Sequence, residues 1–330
     1  MTEHAAAYVR QLEEAYSFMA SRDDFLVVSH VQPDGDAISS TVLIGWLLGR
    51  LGKRAVLVNE GAVPSRLSYL TLADSITCVK EHPLDRSFTH IISIDCADFR
   101  RIGIVSQSFA EDAQLLNIDH HPTNDAFGTV NLIRPDAAAT VEILYDLIAH
   151  QGIELDLEAA TAVYTGLLTD TGGFRYSNTT PHVMEIASEL LRIGVSGNQL
   201  ADHLLEKMTM PQLRLLQRAL SRLSFTDDGR ISWLFIEPAD LADTGATGED
   251  LEGLVNYALN VEGVEVGILY KGTEDGHTKV SFRSAGKANV AAVAQTFGGG
   301  GHVRAAGCRI EGQVPDVISM VVESVRRALG

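Results

Sequence analysis

Sulfur is scarce in this chain: its 330 residues include three cysteines, Cys78, Cys96 and Cys308. They are odd in number, widely separated and free of C-x-x-C spacing, which excludes a disulfide framework and a zinc knuckle and leaves reduced, buried thiols. Cys96 neighbours Asp95, yet a small core residue suits it better than a soft metal ligand. Long apolar runs are missing too. The best, Val42 to Leu48, falls far short of the roughly 18 residues of a membrane span. The opening Met1-Thr2-Glu3-His4 has neither the basic flank nor the apolar core of a leader. A cytoplasmic protein without membrane contact is therefore expected. Positive charge is the third shortage, with 26 Lys and Arg against 43 Asp and Glu and a formal charge of -17. That balance excludes broad electrostatic capture of long nucleic acid, which needs a basic stripe to displace counterions. An acid-lined site can still take a small polyanion once divalent cations invert the local charge. No internal repeat and no low-complexity tract is present.

What remains is an ordinary globular composition, 45% apolar and 6% aromatic, in a chain long enough for two domains. Short apolar runs alternate with helix-like stretches: Phe25 to Ser29, a helix from about Ala37 to Leu51, Ala55 to Val58, Ile76 to Val79, His90 to Ile94 and Leu115 to Ile118. Such alternation predicts an α/β domain with a mostly parallel sheet and helices on both faces. From about Ala139 to Leu223 the spacing turns helical, as in Val141, Leu144, Tyr145 and Ile148. Strands return at Ile231 to Ile236, Val264 to Tyr270 and Thr278 to Arg283, the last two joined across Gly272 to His277 as in a hairpin. The expected organisation is a catalytic domain over 1–190, a helical connector over 191–222 and a smaller C-terminal α/β domain over 223–330.

Three of the apolar runs deliver ligand-type side chains where they end. Phe25 to Val28 leads into Ser29-His30-Val31-Gln32-Pro33-Asp34-Gly35-Asp36, Ile91 to Ile94 into Asp95, and Leu115 to Ile118 into Asp119-His120-His121. Ligands of an open parallel sheet bind beyond the carboxyl ends of its strands, where these residues fall. Unpaired, so many buried polar groups would carry a heavy desolvation cost, and a metal or an anion is the natural compensation. Pro33-Asp34-Gly35-Asp36 also reads as a tight turn with an Asp helix cap, and Asp95 as a solvated strand end. An EF-hand is excluded, because Ile38 occupies a ligand position and Gly35 comes too early. Asp170 ends an apolar helix that breaks at Gly172-Gly173, where the helix dipole disfavours a carboxylate unless a cation faces it. Further on, Gly298-Gly299-Gly300-Gly301-His302-Val303-Arg304 offers backbone N–H groups that can approach a phosphate closely, with His302, Arg304 and Arg283 as positive partners. Asp98 and Asp125 read as supporting or solvated acids, and His90 as a strand residue.

Taken together these motifs resemble the DHH family of phosphoesterases with a DHH-associated C-terminal domain, in its nanoRNase and pAp-phosphatase subfamily. His30-x-x-Pro33-Asp34-Gly35-Asp36-Ala37 is similar to the first family motif, Asp95 to the second, Asp119-His120-His121 to the third and Asp170-Thr171-Gly172 to the fourth. Gly299-Gly300-Gly301-His302 is similar to the signature of the associated domain. The resemblance covers nearly the whole chain and implies two divalent cations, with Mn(II) favoured by the mixture of carboxylate and imidazole. It implies His30, Asp34 and Asp95 on one cation, and Asp36, Asp95, His120 and Asp170 on the other, with Asp95 bridging. Asp119 would orient a histidine, and His121 would face the phosphate. Arg283, Gly299, Gly300, Gly301, His302 and Arg304 would grip the end of a short substrate. The implied activity is hydrolysis of dinucleotides, very short oligonucleotides and 3'-phosphoadenosine 5'-phosphate, by a homodimer. The rivals are a pyrophosphatase or polyphosphatase of the same core and a non-catalytic nucleotide-binding regulator.

Overall fold

The computed structural model describes residues 3–330, so Met1 and Thr2, where the stretch read as lacking a leader begins, lie outside the described residues. The chain divides into two compact units, Met1–Lys207 and Met208–Gly330, and the break falls within the 191–222 segment.

The first unit opens with α1 (Glu3–Ser21), β1 (Phe25–Val28), α2 (Gly35–Arg50), β2 (Ala55–Asn59), β3 (Thr77–Cys78), β4 (Phe88–Ile94), β5 (Phe109–Asp119) and β6 (Val130–Ile133). Four helices follow: α3 (Thr140–His150), α4 (Leu157–Asp170), α5 (Pro181–Ile193) and α6 (Gly197–Ala201). The strands form one parallel sheet in the order β3-β2-β1-β4-β5-β6. Both of its faces are covered, which is why β1 reads as an unbroken apolar run rather than an alternating one. Phe25, Val27, Ile92, Ile94, Leu116 and Ile118 pack on one side with residues of α2, α3 and α4. Leu26, Val28, Ile91 and Leu115 pack on the other with Ile102 and Val105. Successive strands run outward from β1 in one direction and then, from β4, in the other. That reversal opens a crevice at the carboxyl ends of β1 and β4. The element reading from sequence begins at Phe25 and omits α1, whose Leu12, Ala15, Phe18 and Met19 are buried at helical spacing. It also omits the short β6.

Helix α2 is buried along most of its length, so its apolar residues do not confine themselves to one stripe. Asp34 caps it by accepting from the Ala37 N–H, and Gly52, at φ 67°, follows its end. Gly35 is required by contact rather than by a turn: a Cβ there would fall 2.7 Å from Thr169 Cβ. The bare backbone lets the start of α2 approach the end of α4, and this brings Asp36 to Asp170.

The second unit comprises α7 (Met210–Ser221), β7 (Ser224–Phe225), β8 (Ile231–Ile236), α8 (Pro238–Thr244), α9 (Leu254–Leu259), β9 (Val266–Gly272) and β10 (His277–Ser284). It ends with α10 (Val290–Gln295), β11 (Gly300–His302), β12 (Ala305–Glu311) and α11 (Val314–Leu329). The sheet order is β11-β12-β10-β9-β8-β7, with β8 and β9 parallel and the other neighbours antiparallel. One face packs Ile268, Tyr270, Val280 and Phe282 against Val293, Val317, Val321 and Val325. The opposite face, over β8 and β9, packs Leu234, Ile236 and Leu269 against Leu215, Leu254 and Ala258. The hairpin expected across Gly272 to His277 is present as β9 and β10. The glycine run is not a free loop, because Gly300 to His302 pair with β12 as an edge strand. A Cβ on Gly299 would fall 2.5 Å from Cys308 Cβ, so close strand packing itself demands glycine there. Cys96 is buried, and all three cysteines are unpaired thiols. No helix among the described residues is long and apolar enough to cross a membrane.

Candidate metal centre

Seven side chains meet beyond the carboxyl ends of β1, β4 and β5. His30 and Asp34 come from the turn after β1, Asp36 from the first turn of α2, and Asp95 from the residue after β4. Asp119 ends β5, His120 follows it, and Asp170 arrives from the last position of α4. Asp95 holds a left-handed backbone at φ 57°, a costly conformation for a residue with a Cβ. Its N–H donates to the Ile118 carbonyl at 2.9 Å, so the strained turn is tied to β5.

The donor atoms fall into two groups, and Asp95 of the first also lies against His120 of the second. His30 Nε2 lies 3.8 Å from Asp34 Oδ2 and 3.5 Å from Asp95 Oδ2. His120 Nε2 lies 3.5 Å from Asp95 Oδ1 and 3.4 Å from Asp170 Oδ2. Donor atoms of His30, Asp34 and Asp95 lie within 4.8 Å of one another, and so do those of Asp36, His120 and Asp170. These separations are long for strong hydrogen bonds. They suit ligands arranged around a cation at roughly 2.0–2.2 Å from each. One tautomer follows from geometry: His120 Nδ1 faces the Ala137 carbonyl at 3.3 Å, which leaves Nε2 toward the carboxylates.

Burial and charge make the group unfavourable as a set of bare acids. Asp36 and Asp119 are fully buried and Asp95 nearly so. Burial, followed by the charge of Asp95, pushes the Asp36 carboxyl up to about 7. It stays high even though the Thr140 and Val141 N–H groups donate to it at 2.6 and 3.1 Å from the start of α3. Asp170 is driven well above the carboxylate range by enclosure and by Asp36, Asp34 and Asp95, although 24% of its side chain reaches solvent. Asp95 moves the other way. Burial raises it, but the His30 contact and the charges of His121 and His120 outweigh that and hold it well below its usual range. The His120 imidazole is raised, because Asp95, Asp36 and Asp119 overcome the opposing effect of burial. A close-spaced donor set of four carboxylates and two imidazoles, some of which hold protons that a metal would displace, fits two divalent cations.

Asp119 and His121 form a separate unit beside these groups. His121 Nδ1 donates to Asp119 Oδ1 at 2.7 Å, and Asn124 Nδ2 donates to Asp119 Oδ2 at 2.6 Å and to the Cys96 carbonyl at 3.0 Å. His121 Nδ1 also lies 3.6 Å from Asp95 Oδ1. Sequence reasoning missed Asn124, although an Asn three residues past a His pair in a Pro-containing turn is a visible signal. It also missed Thr140, whose Oγ1 donates to Asp95 Oδ1 at 2.9 Å.

Elsewhere the placements are equally plain. Asp98 caps a short helical turn by accepting from the Arg100 N–H, Asp125 is exposed, and His90 contacts the Asp23 carbonyl from within β4. In the second unit Arg283, Ala305 and His302 form one register row across β10, β12 and β11, which brings residues far apart in sequence onto one sheet face. Arg304 joins β11 to β12, and its carbonyl accepts from the Ser284 N–H.

Comparison with known proteins gives a consistent result. Residues 24–167 match the DHH family N-terminal domain and residues 231–328 the DHHA1 domain. The bifunctional oligoribonuclease and PAP phosphatase NrnA of Thermus thermophilus is 36% identical over 92% of this chain and 89% of its own. The protein of the same name from Bacillus subtilis is 27% identical over 87% of this chain and 90% of its own. The crystal structure of an exopolyphosphatase-related protein from Bacteroides fragilis superposes with a TM-score of 0.88 at 25% identity, covering 96% of each chain. With both domains matched in order and a third of the residues shared with one relative, the chain belongs to the DHH/DHHA1 phosphoesterases of the NrnA-like group.

Proposed function

We propose that the protein is a cytoplasmic, manganese-dependent phosphoesterase that hydrolyses dinucleotides and very short oligonucleotides to mononucleotides and converts 3'-phosphoadenosine 5'-phosphate to AMP. The observation that carries the reading is the pair of donor groups that meet where Asp95 faces both His30 and His120. His30, Asp34 and Asp95 would hold one cation, and Asp36, Asp95, His120 and Asp170 the other. The names of the Thermus and Bacillus relatives support the two substrate classes. When bound, two such cations supply charge for a phosphoryl group and lower the pKa of water. Mixed oxygen and nitrogen donors favour Mn(II) over Mg(II), which prefers oxygen alone.

The chain's own groups do the rest. Asp119, steadied by Asn124, fixes the His121 ring so that proton transfer to a phosphate oxygen or leaving group falls to Nε2, a role worth on the order of 10²- to 10⁴-fold. Thr140 holds Asp95 in its strained place, and the start of α3 holds Asp36. Arg283, His302, Arg304 and the backbone of Gly299, Gly300 and Gly301 would bind a terminal phosphate. Function as a homodimer is part of the same proposal.

The test is mononucleotide release from a 5'-phosphorylated dinucleotide with Mn(II), run beside phosphate release from pyrophosphate and tripolyphosphate. The dinucleotide should be cut and the inorganic substrates spared. The description of the Bacteroides protein favours a second reading, a polyphosphate hydrolase, which phosphate release from inorganic substrates alone would establish. A dinucleotide bound but uncut would instead make the protein a regulator.

A further inference from the structure

A second cationic row lies on the sheet face that carries Arg283 and His302. In the register of the second unit, Lys271 on β9 is opposite Lys279 on β10, and Lys279 is opposite Arg309 on β12. Three like charges in line across three strands oppose one another, and nothing in the fold explains them. Asp275 answers Arg309 in an ion pair, but no acid among the described residues forms an ion pair with Lys271 or Lys279. The Lys271 ammonium is held below its ordinary value by half-burial and then by Lys279, the mark of a cation lacking its counter-charge.

These residues line an open groove of about 820 Å³, with Pro238 and Leu241 on its apolar wall. Glu274 and Asp275 also reach it, at the tip of the hairpin. Between the two cationic rows the same face carries only Ser281, Gly307 and Gly300 on β10, β12 and β11, small residues that leave the floor unobstructed. The rows are four strand residues apart, roughly 13 Å. An apolar wall beside a cationic floor matches a nucleotide, whose base has a sticky face and whose phosphate carries the charge.

We infer that Lys271, Lys279 and Arg309 form a second nucleotide-phosphate station, which holds the distal part of an oligonucleotide whose first phosphate sits at Arg283 and His302. The ligand class rests on the phosphoesterase reading above. The consequence is a length preference: substrates longer than a dinucleotide use both rows, and a dinucleotide uses one.

The experiment compares the full-length protein with the double variant Lys271→Gln, Lys279→Gln, on a dinucleotide and a pentanucleotide of the same base, across a salt series. The expected result is an about tenfold fall in the ratio of pentanucleotide to dinucleotide kcat/KM, and a salt slope for the pentanucleotide reduced by about 0.7 per lost contact. Calorimetric titration of AMP forms the second arm. AMP binding lost in the variant with an unaltered length ratio would overturn the distal-oligonucleotide role, the groove then taking a free nucleotide instead. An unchanged ratio, salt slope and AMP affinity would overturn it. If the parent protein cuts neither oligonucleotide, the functional reading fails on its own. Direct titration of uncut pentanucleotide into parent and variant then decides the groove separately.

Discussion

Replacing Asp119 by Asn tests the division of labour at the centre of the site. Asp119 is fully buried, and each of its oxygens is already engaged, one by His121 Nδ1 at 2.7 Å and the other by Asn124 at 2.6 Å. The amide is nearly the same size and its oxygen can still accept from His121 Nδ1, but the charge opposite the imidazole is gone and its Nδ2 meets the Asn124 amide donor. A hydrogen bond to a charged group is worth about 1.5–3 kcal/mol, which corresponds to a loss of kcat on the order of 10- to 150-fold if the interaction matters when His121 carries its proton. KM should move by less than about threefold, because the change falls on the transition state and not on substrate binding. The two effects are separated by steady-state kinetics on a dinucleotide at saturating Mn(II). A second measurement, manganese titration, distinguishes orientation from ligation. Donor atoms of Asp119, Asp95 and His121 also lie within 4.8 Å of one another, so Asp119 could itself hold a metal. Unchanged manganese affinity with reduced kcat supports the orienting role. A manganese affinity lowered by tenfold or more, or a kcat equal to the parent's, refutes it.

Two further outcomes follow from the same geometry. Asp95→Asn removes the charge shared by both donor groups, and manganese bound per chain, read by elemental analysis, should drop with turnover; two retained ions and near-parent rates would reject the bridging role. The metal-free protein should also lose stability as pH rises. An Asp36 carboxyl held at about 7 keeps its proton in the native state while the unfolded chain has lost it. Unfolding free energy therefore falls between about pH 4 and 7, by at most about 1.4 kcal/mol per pH unit for each retained proton, and levels above that. The raised His120 adds loss in the same direction from about pH 6.5 upward, whereas the depressed Asp95 works the other way only at the foot of the window, where the unfolded carboxyl still titrates. Urea unfolding in chelator across that range reads the slope directly, and stability that climbs with pH would contradict the assignment. Manganese addition in the same range should release protons.

The first unit was legible because its strands are covered on both faces, so each stands out as an apolar block with its ligand-type residues directly after it. Asp34 satisfies two readings at once: Oδ1 caps α2, while Oδ2 faces His30. The supporting contacts were not legible, since they come from backbone N–H groups and from residues distant in sequence. Nothing in Thr140-Val141 announces that their amides meet Asp36 more than a hundred residues earlier. The glycine run carries a second requirement beside the one its composition suggested. Its composition suggested backbone N–H groups open to a phosphate; close packing against β12 is a further reason for Gly299, and periodicity cannot register a three-residue edge strand.

The first unit handles its clustered acids, from buried Asp36 and Asp95 to exposed Asp34, in two ways. Glu142 and Asp146, on α3, are answered from within the chain: Arg134 lies 3.2 Å from Glu142 and 2.7 Å from Asp146, and His182 and Tyr8 complete the arrangement around Asp146 at 2.9 Å each. Glu142 also accepts from the Ala138 N–H, so this network braces the stretch whose Ala137 carbonyl and Thr140 hydroxyl touch His120 and Asp95. Asp34, Asp36, Asp95 and Asp170 receive no such answer, for among the described residues no lysine or arginine forms an ion pair with any of them. A fold that answers Glu142 and Asp146 with arginine leaves these four acids to backbone, hydroxyl and imidazole donors. Carboxylates crowded so closely, two of them held above their usual range for want of a cation, suit a divalent ion that would take the place of their protons. The arginine network ties the Ala137 to Thr140 stretch to α3, and the crevice beside it gathers the donor groups that could hold metal.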